Sequence, residues 1–287
     1  MHAVTGVTGK TGAAVAQALL DAGVGVRVIV RRADAGEAWR ARGAQVAIAD
    51  VADADAMTAS LRGTQGAYLL NPPRYDSADP YSVADAVGKA LASAITASGV
   101  PRAVVLSSVG AHRAAGTGII GTAHRVEQAL AGVATPVVLL RANYFFENWA
   151  GVVPVVKGEG VLPSFLQPLD REVPMTAVAD IGQAAAAVLT GPAWQGRRIV
   201  DLASFRASPA AVAAALAAVA GRPVNAVAVP REQWAGILRG AGLPQEIADA
   251  FVAMYDGING RIVTAEAGSE RRDGAVTLAQ AARALLA

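Results

Sequence analysis

Along the first half of the chain, short, nearly all apolar, β-branched runs alternate with Ala-rich stretches whose apolar positions recur every three or four residues. A strand buried on both faces is nearly all apolar rather than apolar at every second position. VRVIV, AVVLS and PVVLL fit that rule. The pattern predicts strands at His2 to Val4, Val26 to Val30, Gln45 to Ile48, Ala67 to Leu70, Ala103 to Leu106 and Pro136 to Leu140, with helices between them. Strand and helix in regular alternation imply right-handed βαβ crossovers, hence an α/β fold: a Rossmann-like, doubly wound parallel sheet.

Beyond about Tyr144 the pattern breaks into shorter pieces rich in Pro and Gly. Helices are expected near Val178 to Leu189, Pro209 to Ala220, Arg231 to Arg239 and Gln245 to Met254, and strands at Arg198 to Leu202 and Val224 to Val229. The expectation is a dinucleotide-binding domain over 1–150 and a smaller C-terminal substrate lobe over 151–287, with one of the late strands rejoining the main sheet.

The first predicted strand runs into Thr5-Gly6-Val7-Thr8-Gly9-Lys10-Thr11-Gly12, which opens the first helix. Glycines at that spacing let the backbone approach a ligand, and free N–H groups at the helix start favour a diphosphate. The candidate cradle is Gly6, Thr8, Gly9, Lys10, Thr11 and Gly12; the alternative is a plain Gly-rich turn. It lacks the spacing of a Walker A loop. The second strand ends at Arg31 and Arg32, where an NAD-specific fold places an acid for the ribose 2′-hydroxyl. A guanidinium there can pair with a 2′-phosphate, so NADP(H) is favoured over NAD(H), unless both arginines are merely solvated. Asp50 and Val51, after the third strand, are candidates for the adenine side; Asp50 serves equally well as a helix cap.

Composition narrows the partners. Hydrophobic residues make up 53% of 287 and charged residues 17%, enough apolar material for a large core and too little charge for a disordered chain. Net charge is +2, with lysines only at 10, 89 and 157, so no basic surface for nucleic acid is expected. Mean hydropathy is +0.37, yet the longest uncharged runs fall short of about 18 residues, so no membrane span is expected. The N-terminus lacks a secretory pattern, which leads to an expectation of the cytoplasm. The absence of cysteine removes thiolate metal sites and thiol nucleophiles, and the scattered His2, His112 and His124 point away from a metal centre.

Several blocks together resemble the NmrA-like branch of the short-chain dehydrogenase/reductase superfamily, and within it the flavin-free NAD(P)H:quinone oxidoreductase type 2 and related dye or azo reductases. They are TGVTGKTG, VIVRR, LLNPP (Leu69 to Pro73), VLSSVGA (Val105 to Ala111), HRVEQAL (His124 to Leu130) and LLRANYFFENW (Leu139 to Trp149). The resemblance covers almost the whole chain. It implies that Asn143, Tyr144 and Phe145 close over the nicotinamide of NADP(H). The Tyr-x-x-x-Lys pair of ketone-reducing members is absent: four residues beyond each tyrosine stand Pro72, Asp79, Asp85, Asn148 and Asn259. In relatives the histidine of the HRVEQAL segment stands four before the glutamate, whereas His124 and Glu127 are three apart.

Hydride addition to a quinone produces a phenolate of pKa about 10, far less basic than an alkoxide, so a strong acid is not needed. The expected reaction is therefore hydride transfer to a quinone or quinone-like or azo aromatic acceptor. Asn71, Pro72, Ser107 and Ser108, at carboxyl ends of sheet strands, should border the nicotinamide. The serines could equally satisfy strand-end backbone groups. His124, Asn143 and Tyr144 are the catalytic candidates, and Trp149, Trp234, Phe251, Met254 and Tyr255 the expected aromatic pocket, with ordinary core packing as the alternative. Two rival readings stand beside this one: a non-catalytic NADP-sensing regulatory protein, and a reductase of an activated C=C or imine. Oligomeric state stays open, a homodimer included.

Overall fold

The computed structural model describes residues 1–287. Thirteen strands alternate with helices: β1 (His2–Thr5), β2 (Val26–Val30), β3 (Gln45–Ile48), β4 (Ala67–Leu69), β5 (Ala103–Ser108), β6 (Val137–Ala142), β7 (Tyr144–Phe145), β8 (Val161–Ser164), β9 (Val173–Thr176), β10 (Arg197–Ala203), β11 (Phe205–Ala207), β12 (Asn225–Ala228) and β13 (Glu270–Asp273). Eight form one sheet in the order β13-β10-β6-β5-β4-β1-β2-β3, and every pairing in it is parallel. The strand order reverses between β1 and β4, so a crevice opens at their carboxyl ends.

Both faces of this sheet are buried, which explains the nearly continuous apolar runs. Along β6, Val138 and Leu140 join one core with the helices Lys10–Asp21 and Val178–Thr190. Val137 and Leu139 join a second core under the helices Ala54–Leu61, Pro80–Ser98 and Gly121–Ala129. On the first face the two helices meet so closely that a Cβ on Gly182 would lie 2.7 Å from the Ala14 carbonyl oxygen. The β13 edge is blunted by polarity, as exposed edges generally are. Three of the four β13 residues are exposed, and its sequence is ERRD.

The sheet has eight strands where the early pattern predicted six, because β10 and β13 return from the second half of the chain. Arg198 to Leu202 lies within β10, beside β6. The other late strand, β12, pairs instead with β8 in a separate two-stranded sheet. A third small sheet, β11-β9-β7, lies over a core of Phe146, Trp149, Leu162, Met175 and Leu216. No helix is long and apolar enough to cross a membrane.

Candidate active site

A cleft of about 1330 Å³ follows the carboxyl ends of the sheet strands and is walled on its far side by residues of the second half of the chain. Gly6, Thr8, Gly9, Lys10, Thr11, Arg31, Asn71, Pro72, Ser107, Ser108, Asn143, Tyr144 and Phe145 all line it. Residues scattered over nearly half the sequence thus meet in one groove.

The glycine turn has the shape that a diphosphate needs. Gly6 holds φ +71°, and a Cβ there would come within 2.6 Å of Leu70. Gly9 is the N-cap of the helix Lys10–Asp21 and no side chain caps it, so the first-turn amides are left for a ligand. Gly12 does not line the cleft; its Cα packs against the Thr5 and Gly6 backbone, where any side chain would collide. It is the residue that lets the helix start this close to β1.

Beyond β2, Arg31 and Arg32 part company. Arg31 lines the cleft and has no ion-pair partner. Arg32 is turned to its own loop, with Nε donating to Asp34 Oδ1 at 3.1 Å and Nη2 to Oδ2 at 2.9 Å. Asp50 is exposed and accepts from the Ala52 amide at 3.0 Å, and Val51 packs on the second core. Neither is among the residues that line the cleft, although Asp50 lies near enough to Arg74 of that lining to favour its cation. Asp53, not Asp50, caps the helix Ala54–Leu61, accepting from the Asp55 and Ala56 amides.

His124 also stands apart. Its Nδ1 donates to the Ala111 carbonyl at 2.8 Å, and its ring faces a smaller pocket with Tyr81, Asp85 and Arg125 behind the helix Gly121–Ala129. Three residues on from it, the other face of the same helix turns Glu127 inward. Ser107 Oγ donates to Glu127 Oε1 at 2.5 Å, and Arg141 clasps the same carboxylate. Arg141 Nη1 reaches on to Glu266 Oε2 at 2.6 Å, tying the segment before β13 to the middle of the sheet. This buried network was not anticipated, although an arginine inside the apolar run VVLLRA is a signal for it.

Tyr144 and Tyr255 bring their hydroxyls to 3.3 Å. Burial first, and the neighbouring phenol second, push the Tyr144 hydroxyl well above its ordinary value, so it stays protonated. Asn143 is held by backbone and side chain alike: its amide N–H reaches Thr176 Oγ1 at 2.9 Å and its Nδ2 donates to the Leu202 carbonyl at 2.8 Å. Asn71 Oδ1 and Glu147 Oε2 are buried acceptors without partners, on residues that line the cleft. Such orphans call for a donor from a ligand. Of the expected aromatic pocket, Phe251 and Met254 line the cleft. Trp149 and Trp234 are core, the latter stacked on Phe165 with its Nε1 donating to the Val229 carbonyl.

The chain is 27% identical over 256 residues to an NAD(P)H azoreductase of Xenophilus azovorans, covering 89% of this chain and 86% of that one. It is 28% identical over 255 residues to a (4-alkanoyl-5-oxo-2,5-dihydrofuran-3-yl)methyl phosphate reductase of Streptomyces griseus, covering 88% and 85%. The crystal structure of an NADPH-dependent quinone oxidoreductase of Escherichia coli complexed with NADPH superposes with a TM-score of 0.81 at 25% identity, over 99% of each chain. The model of the NmrA-like family matches residues 2–266, and the chain belongs to that family.

Proposed function

We propose that the protein is an NADPH-dependent, flavin-independent oxidoreductase that reduces a quinone or azo-type aromatic acceptor. One observation carries the reading: the uncapped glycine turn and the unpaired Arg31 open into the same cleft as the apolar wall of Phe251, Met254 and Ile258. The azoreductase and quinone oxidoreductase relatives support it. A cytoplasmic address, where reduced nicotinamide nucleotide is supplied, accompanies it.

The residues present fit the cofactor. The amides after Gly9 would hold the diphosphate, Arg31 the 2′-phosphate, and the orphan acceptors of Asn71 and Glu147 the donors of the nicotinamide half. Bound NADPH supplies the hydride. Tyr144, kept protonated by burial, would donate a hydrogen bond to the acceptor atom that gains charge. Asn143, braced by Leu202 and Thr176, fixes the chain beside it. Ser107, whose proton is committed to Glu127, offers only lone pairs to the cleft and orients a donor there.

Loss of NADPH absorbance with a panel of naphthoquinones and azo dyes tests the proposal. Turnover no faster than the cofactor-only blank, with tight NADPH binding, would favour a cofactor sensor instead. The furanone phosphate reductase relative favours a second reading, hydride delivery to an activated C=C, which product analysis separates from quinone or azo reduction.

A further inference from the structure

Charge is distributed unevenly along the cleft. Lys10 and Arg31 stand at the end beside the glycine turn, while Arg171, Arg206, Arg261, Arg271 and Arg272 line the other. Arg31 follows β2 and Arg271 lies in β13, six places apart in the sheet order, a separation of about 29 Å at the usual strand spacing. The phosphates of a cofactor seated on the glycine turn leave the far arginines unserved.

The carboxylates on the cleft leave Arg171 and Arg261 without an acidic partner, though Glu172 pairs with Arg206 at 3.7 Å. Glu147 accepts the Val178 amide at 2.9 Å, and Asp201 is bound by the Ser269 hydroxyl. Asp273 terminates β13 on the sheet edge. Arg171 has no acidic partner. Its Nη1 donates to the Asn259 carbonyl at 2.6 Å and its Nη2 to Asn259 Oδ1 at 3.0 Å, while its Nε is buried without a partner. Burial first, and the nearby Arg261 cation second, hold the Arg171 guanidinium below its ordinary value.

Arg261 is the only non-glycine residue with positive φ, at 59°. It follows the helix Gln245–Asn259 and Gly260, where a left-handed residue reverses the chain and glycine would do so without strain. The side chain that this backbone carries is a second unpaired guanidinium. On the same helix, Phe251, Met254 and Ile258 recur at helical spacing along the cleft. That apolar face runs into Asn259, the residue on which Arg171 is anchored.

We propose that Arg171 and Arg261 form a subsite for an anionic substituent of the acceptor, a sulfonate, carboxylate or phosphate ester, whose aromatic body lies along Phe251, Met254 and Ile258. This rests on the reductase reading and narrows its substrate class. Two like charges side by side are relieved by one bound anion, and guanidinium forks match oxyanion geometry.

A matched pair of dyes tests it: a phenylazo-naphthol and its para-sulfonated counterpart, with saturating NADPH. In the unmodified protein kcat/KM favours the sulfonated dye by about tenfold or more, and rising ionic strength erodes that preference. In Arg261→Gly, which keeps the left-handed turn, the ratio between the dyes falls to about one, and Arg261→Lys, a cation without the fork, restores only part of it. Reading the ratio cancels any general loss of activity. A ratio near one in the unmodified protein, or an unchanged ratio in Arg261→Gly, would overturn the subsite. If neither dye is reduced, the reductase reading fails on its own. Calorimetry with naphthalene-2-sulfonate and naphthalene-2-methanol then decides the subsite: binding specific to the sulfonate and lost in Arg261→Gly upholds it, and equal binding of the two overturns it.

Discussion

Arg141 clasps the Glu127 carboxylate through two hydrogen bonds, Nε to Oε1 at 2.8 Å and Nη2 to Oε2 at 2.6 Å, with the two side chains only 1% and 2% exposed. One residue comes from β6 and the other from the helix Gly121–Ala129, so the pair bolts a helix to the sheet directly beneath Ser107. Removing Arg141 leaves the buried Glu127 carboxylate only the Ser107 hydroxyl and the Arg197 guanidinium at 3.4 Å. Arg141→Met should cost about 3–5 kcal/mol, and the double variant Glu127→Met/Arg141→Met clearly less. Urea unfolding of the singles and the double checks this; equal losses in all three would contradict it.

The divergence of Arg31 and Arg32 predicts a sharp difference in cofactor use. Arg31→Ala should weaken NADPH binding roughly tenfold to a hundredfold, the worth of a charged hydrogen bond, and leave NADH binding nearly unchanged. Arg32→Ala should do little, because that guanidinium is already paired with Asp34. Calorimetric titration with both coenzymes gives the answer, and a larger effect at Arg32 would reverse the assignment.

Glycines in one turn are not equivalent. A methyl on Gly12 would drive into the Thr5 carbonyl, whereas one on Gly9 would meet only the Gly6 oxygen at 3.5 Å. Gly12→Ala should therefore lose about 1–3 kcal/mol and most coenzyme binding, and Gly9→Ala should stay close to the original stability. Thermal unfolding with and without NADPH distinguishes them.

Tyr144 should matter to turnover more than to cofactor affinity. Tyr144→Phe should lower kcat about tenfold while NADPH binding stays within about twofold. Because burial raises its phenol, no alkaline fall in rate below pH about 10 should trace to this residue. An alkaline limb near neutrality that disappears in Tyr144→Phe would refute that.

His2, in β1, is buried, and burial first, then the N-terminal ammonium and Arg102, hold its imidazole down to about 4. In the unfolded chain the group titrates near 6.5. Below that pH the unfolded state binds more protons, so stability is complete above 6.5 and is lost as pH falls toward 4, by up to about 1.4 kcal/mol per unit. Replacing His2 with Asn should flatten the difference in urea stability between pH 7 and pH 4.5. An unchanged difference would assign the acid sensitivity to other groups.

The sheet was legible in the residues because a strand buried on both faces is nearly all apolar, and β2, β5 and β6 are, apart from Arg27, Ser107, Ser108 and Arg141. β13 was not, since an exposed edge lets ERRD form a strand held by backbone pairing to β10 rather than by apolar burial. The glycine turn was legible through Gly6 and Gly9, whose spacing alone implies the backbone they require. Asp50, Val51 and His124 stand outside the residues that line the cleft, because the sequence orders residues along the chain but does not say to which side a loop or helix turns them.

What the sequence determined by itself is therefore whatever depends on neighbours in the chain: the mostly apolar strands, the crossover helices, the glycine turn at Gly6 to Thr11, and the missing Tyr-x-x-x-Lys pair. The tertiary structure alone decided which distant charges meet. Arg141 reaches Glu266 across 125 residues, and Arg171 anchors on Asn259 across 88. Such pairings have no local period, since a buried charge takes whatever partner the packed fold delivers within hydrogen-bond range.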